Sequence, residues 1–126
     1  MTVERISTQA IKKVIGGDVK TQYTCVIKVY SNGCPICHEL KDEYHRISNL
    51  SEFDDLYFFV FNIDDFTNLD KLVEFEGVPT FILVNTGLEK SVHVMQEPPT
   101  PHPKTWYYAE DIVTFVNDNR RGKTVA

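Results

Sequence analysis

The sequence predicts a single α/β domain whose central mixed sheet of four to five strands is flanked by helices, in the order β-α-β-α-β-α-β-β-α. Three observations predict it. Stretches rich in β-branched and aromatic residues alternate with stretches whose apolar residues recur every three or four positions. Leu56-Tyr57-Phe58-Phe59-Val60-Phe61-Asn62 is almost continuously apolar, as a strand covered on both faces must be. Near the end, Asn85-Thr86-Gly87 separates two apolar runs and reads as a hairpin turn. The 126 residues suffice for one domain with a real core and not for two, so the domain is expected to span 1–126.

The elements follow in order. Val3 to Ile6 forms a short edge strand. Ser7 caps a helix over Thr8 to Ile15, with Ala10, Ile11, Val14 and Ile15 as its apolar stripe. Gly16-Gly17-Asp18 ends it. Tyr23 to Tyr30 is rich in β-branched and aromatic residues and forms the next strand. A helix with apolar Leu40, Tyr44 and Ile47 then runs to about Leu50. Leu56 to Asn62 is the central apolar strand. Thr67 or Asn68 starts a short helix through Phe75, with Leu69, Leu72 and Val73 turned inward. Phe81-Val84 and Ser91-Met95 form the hairpin. The last helix covers about Tyr108 to Asn119, with Ile112, Val113, Phe115 and Val116 inward. Crossovers in the first half make those strands parallel, and the last two pair antiparallel.

The chemistry concentrates in Ser31-Asn32-Gly33-Cys34-Pro35-Ile36-Cys37-His38, where a strand turns into a helix. Pro35 suits the first helical turn, because its missing N–H would be unpaired there anyway. Cys34 then lies at the helix N-terminus, where free N–H groups and the macrodipole favour an anion, and a thiolate is one. Cys34 is therefore the exposed, acidic nucleophile. Cys37, one turn on, points back beneath it and resolves a mixed disulfide. A structural zinc site needs four ligands, and three cysteines without a second C-x-x-C do not supply them, so no metal is expected. Cys34-Pro35-Ile36-Cys37-His38 also matches the haem-attachment pattern C-x-x-C-H, with nothing else in support. Cys25 reads as an inert buried strand thiol.

The strand, C-P-I-C and helix together resemble the active site of the thioredoxin superfamily. Gly77-Val78-Pro79-Thr80-Phe81-Ile82-Leu83-Val84 resembles that family's cis-proline loop and the central strand after it. Phe61-Asn62-Ile63-Asp64 resembles the end of its third strand, and the spacing of Cys37 and Pro79 is typical of thioredoxins. The resemblance runs from about Val3 to Arg120. It implies a thioredoxin fold and a thiol–disulfide oxidoreductase that reduces protein disulfides through Cys34 and Cys37, with Gly33, Pro35, Ile36, Val78 and Pro79 forming the active-site loops. It further implies a cis Val78–Pro79 bond, substrate backbone pairing at Val78, and roles in electron transport and cell redox homeostasis. The redox-active disulfide is then the only cofactor. The implied partners are disulfide-containing proteins and a thioredoxin reductase or another thiol reductant, with the chain a monomer. Two alternatives remain. One is glutathione-dependent, glutaredoxin-like chemistry, since C-P-I-C resembles C-P-Y-C, although the G-G-x-x-D signature is absent. The other is a thioredoxin-fold binding or assembly module with an idle dithiol.

Bulk properties exclude other classes. A net charge of −5 and the lack of a basic patch argue against nucleic acid, since Arg120-Arg121-Gly122-Lys123 reads as a frayed, solvated tail. No apolar run is long enough to span a membrane. The N-terminus lacks the pattern of a signal peptide, so a reducing cytoplasm is the expected compartment.

Three features depart from thioredoxins. Lys28 takes the place of a buried acidic residue that assists proton transfer. It either favours thiolates as a charged neighbour or buries its stem and sends its head to water. His38, when charged, stabilises a nearby thiolate. Gly33 replaces the tryptophan before the first cysteine. Glu97 to Tyr107 is an insertion with four prolines, expected to be a semi-rigid loop emerging beside the dithiol. Tyr30, His102, Trp106 and Tyr107 are the candidate substrate-binding residues, Trp106 and Tyr107 reading equally well as plain packing.

Overall fold

A computed structural model describes residues 3–120. The basic positions 121–123 therefore lie outside the described residues. The chain forms a five-stranded sheet in the order β1-β3-β2-β4-β5. Its strands are β1 (Glu4–Arg5), β2 (Thr24–Tyr30), β3 (Tyr57–Asn62), β4 (Thr80–Asn85) and β5 (Ser91–Val94). β1 and β2 run parallel to β3, while β4 runs antiparallel to both β2 and β5. This is the thioredoxin fold.

Alternation along β2 divides the core into two layers. Val26, Phe58, Phe81 and Leu83 face one way and bury Leu40, Tyr44, Ile47, Ile112 and Val116. Ile27, Val29, Phe61, Ile82 and Val84 face the other way against Ile11, Val14 and Ile15. The helix carrying those three residues, α1 (Thr8–Gly16), is capped by the Ser7 hydroxyl, which accepts from the Ala10 amide at 3.1 Å. Gly17 closes it at φ +89°, and Lys90 Nζ donates to the Ile15 carbonyl at 2.7 Å. In the hairpin loop, Gly87 sits at φ +87°, and a Cβ there would come within 2.7 Å of Gln22 and 3.1 Å of the Lys20 carbonyl. Only glycine fits.

Three elements differ from the sequence expectation. The helix after Cys34 divides at Leu40 into α2 (Pro35–Glu39) and α3 (Lys41–Ser48) and stops short of Leu50. The segment expected as a helix through Phe75 forms only a 3-10 turn over Thr67–Lys71. Asp64, Asp65, Thr67, Asn68 and Asp70 offer the backbone competing side-chain hydrogen bonds, which disfavour a regular helix. Leu69 is buried there, but Leu72 is 42% exposed rather than inward. Arg120 is not frayed. It follows α4 (Ala109–Asn119) and donates to both Asp55 carboxylate oxygens, at 2.6 and 2.7 Å, and to the Glu52 carbonyl. In the proline-rich loop, His102 and Trp106 exchange two backbone hydrogen bonds of 3.0 Å, which order it.

Candidate active site

β2 ends and β4 begins at the same end of the sheet, where Val29 pairs with Thr80. The turn after Tyr30 and the loop before Thr80 therefore meet at one end. Cys34 is the N-cap of α2, half-buried, and Cys37 beneath it is only 1% exposed. Their sulfurs form a disulfide. The Cys37 amide donates to Cys34 Sγ at 3.1 Å. With α2 only five residues long, this N–H is a donor already aimed at the position a Cys34 thiolate would hold. The Val78–Pro79 peptide is cis. A Cβ on Gly33 would meet open space.

A small amide network ties the cysteine turn to β3. The Asn32 amide donates to Asp64 Oδ2 at 3.1 Å, Asn62 Nδ2 donates to Asn32 Oδ1 at 2.9 Å, and the Asp64 amide donates to Asn62 Oδ1 at 3.0 Å. Sequence reasoning assigned these residues no role. The available signal was a polar side chain ending an otherwise apolar strand, opposite an Asn-Gly turn.

Lys28 lies on β2 below the dithiol and is 4% exposed. Its Nζ donates to the Cys37 carbonyl at 3.2 Å and sits 5.5 Å from the centre of the Tyr44 ring. Its strand neighbours are Val60 and Phe81, so neither flank supplies a counter-ion. Burial, aided by the facing Lys41 ammonium, lowers its pKa from 10.5 to about 8. Burial also pushes the Cys25 thiol up to about 11, which suits an inert role.

A lysine depressed in this way binds fewer protons folded than unfolded between pH 8 and pH 10.5, so its term in stability rises with pH across that window. Below pH 8 the fold carries the full penalty of the buried charge. In the disulfide form, where the active-site thiols do not titrate, Lys28→Met should be more stable than the parent at neutral pH by about 1–3 kcal/mol. That difference should shrink as pH rises through the window. Urea midpoints measured at neutral and alkaline pH check this, and a pH-independent difference would contradict it.

The structure brings Lys28, Tyr30, Cys37 and His38 together around one cavity. His38 Nε2 lies 3.2 Å from the Asn32 carbonyl, and its ring meets Tyr30 edge-on at 6.5 Å. It does not bring the aromatic residues of the insertion there. Tyr107, a candidate substrate contact, is instead 2% exposed and packs edge-on against Phe81 at 5.4 Å. Burial, then the nearby Glu97 carboxylate, raise its hydroxyl to about 12, with a hydrogen bond to Thr80 working against them. His102 is committed within its loop, because its Nδ1 accepts from the Lys104 and Thr105 amides at 3.0 and 3.3 Å. Trp106 packs partly buried against the first core layer. Four prolines leave the loop few backbone donors, so its order comes from the paired His102 and Trp106 backbones together with these side chains.

A mixed five-stranded sheet with a disulfide-forming cysteine pair at its strand-to-helix turn defines a thioredoxin-fold protein. A thioredoxin family profile matches residues 7–100, and the chain belongs to that family. Among solved structures, chloroplastic thioredoxin z is 18% identical, with a TM-score of 0.65 over 94% of each chain. Thioredoxin NaTrxh from Nicotiana alata is 13% identical, with a TM-score of 0.65 over 94% of this chain and 93% of that one. The J-Trx1 fragment of ERdj5 is 16% identical, with a TM-score of 0.64 over 98% of this chain, which spans only 52% of the fragment. No curated protein sequence matches the chain. The fold and its cysteine pair suggest thiol–disulfide oxidoreductase chemistry.

Proposed function

We propose that this chain reduces disulfides in proteins. The observation that carries the proposal is the half-buried Cys34 set directly over a fully buried partner, Cys37. In the reduced form, the Cys34 thiolate attacks one sulfur of the substrate disulfide. A Cys34–substrate bond forms, and the departing substrate thiolate takes up a proton. Cys37 then loses its proton and attacks Cys34 Sγ, closing the Cys34–Cys37 disulfide and releasing the second substrate thiol. Two electrons pass to the substrate, carried by the cysteines with no other cofactor. An external reductant, a thioredoxin reductase or glutathione, must return them.

The test is insulin reduction by the purified chain, recycled either by NADPH with thioredoxin reductase or by glutathione. Turnover with the reductase is the expected result. Turnover with glutathione alone would assign glutaredoxin-like chemistry, and no turnover with either would favour an idle dithiol.

A further inference from the structure

A cavity of about 390 Å³ beside Cys37 is lined by Arg5, Lys28, His38, Lys41 and His45 among its polar residues. Its remaining walls are Val3, Val60, Tyr30, Tyr44 and Cys37 itself. Among the described residues no carboxylate lines it. The volume is more than ten times the ~30 Å³ share of one water and falls in the range of small-molecule sites. Five cation-capable side chains from β1, β2, α2 and α3 converge on this space in a chain whose net charge is −5. Arg5, at the rim, has an acidic partner in Asp65 at 3.2 Å. Lys28 has the Cys37 carbonyl, which occupies one of its three N–H donors, and the Tyr44 ring at 5.5 Å, but no counter-ion. A buried ammonium without a counter-ion is costly, and an anion in the cavity would relieve that cost. The apolar walls favour a ligand that also brings apolar surface.

We propose that this cavity binds a small organic anion, with a carboxylate or phosphate head against Lys28, Lys41 and His45 and a compact apolar body against Val3, Val60 and Tyr44. The proposal concerns binding and is independent of disulfide reduction. It is tested on the isotope-labelled disulfide form by NMR titration at constant ionic strength. Phenyl phosphate, benzoate and uncharged benzyl alcohol are the probes. At least one anion should give saturable shifts at the amides of Lys28, Cys37 and Val60 at millimolar concentration, and which one does so distinguishes a phosphate from a carboxylate head. Benzyl alcohol should not. Lys28→Met should weaken anion binding about tenfold. Lys41→Gln, at an exposed position, should weaken it by a smaller factor without threatening the fold. Equal shifts with benzyl alcohol, no saturation with either anion, or unchanged affinity in both variants would overturn the proposal.

Discussion

On the proposed mechanism, replacement of Cys37 by serine should convert a catalyst into a trap. The variant keeps the nucleophile, Cys34, and the amide of residue 37 that donates to its sulfur at 3.1 Å. It loses the thiol that releases substrate. Steady-state reduction should fall by about a thousandfold or more, while Cys34 accumulates mixed disulfides with substrate proteins. Cys25 cannot take over. It is buried on β2, and burial holds its thiol in the unreactive protonated form. Non-reducing gels and peptide mass spectrometry read the outcome. Cys34→Ser should give neither turnover nor adducts. A folded Cys37→Ser variant that formed no Cys34 adduct would count against reductase chemistry and for a binding module.

The second large effect is on stability. Tyr107→Ala should cost about 3–5 kcal/mol, the usual range for emptying an aromatic site in a core. For a domain of this size that corresponds to a fall in Tm of roughly 10–25 °C. Tyr107 fills the space beside Phe81 and is joined in the same layer by Ile112 and Val116 of α4. Its removal leaves a void between the sheet and the last helix. Chemical denaturation checks the size of the loss, and a cost under about 1 kcal/mol would show that the layer closes without it. A shortened loop that retains the fold must therefore keep Tyr107.

The elements that the sequence made legible were those set by local pattern. The apolar stripe of α1, the continuous apolar run of β3 and the hairpin around Gly87 each carry their signal within a few residues. The cysteine turn was legible because Pro35 and the flanking periodicity place Cys34 at a helix start. What was not legible depends on residues distant in sequence. Tyr107 and Trp106 stand side by side with similar chemistry, and only the packing against Phe81 decides that Tyr107 is the buried one. Lys28 interrupts an apolar strand, but its contact with the Cys37 carbonyl comes from the way α2 folds back over β2. The cavity it lines joins Arg5 of β1 to Lys41 and His45 of α3; the i,i+4 spacing puts the last two on one face, but nothing local announces that they meet Arg5 and Lys28. The segment from Thr67 carries helical apolar periodicity, but its polar side chains compete for the backbone and leave only a 3-10 turn.

The two core layers also differ in when they can be completed. Every buried member of the α1 layer, from Ile6 to Val84, precedes the hairpin loop. The opposite layer needs Met95, Tyr107, Ile112 and Val116 from the last third of the chain. During synthesis, which delivers the N-terminal side first, one face of the sheet can close while the other has only the cover of Tyr44, Phe53 and their neighbours, and Phe81 still lacks Tyr107. That face is completed only once α4 emerges, with Met95 and then Tyr107 the first late residues to cover it.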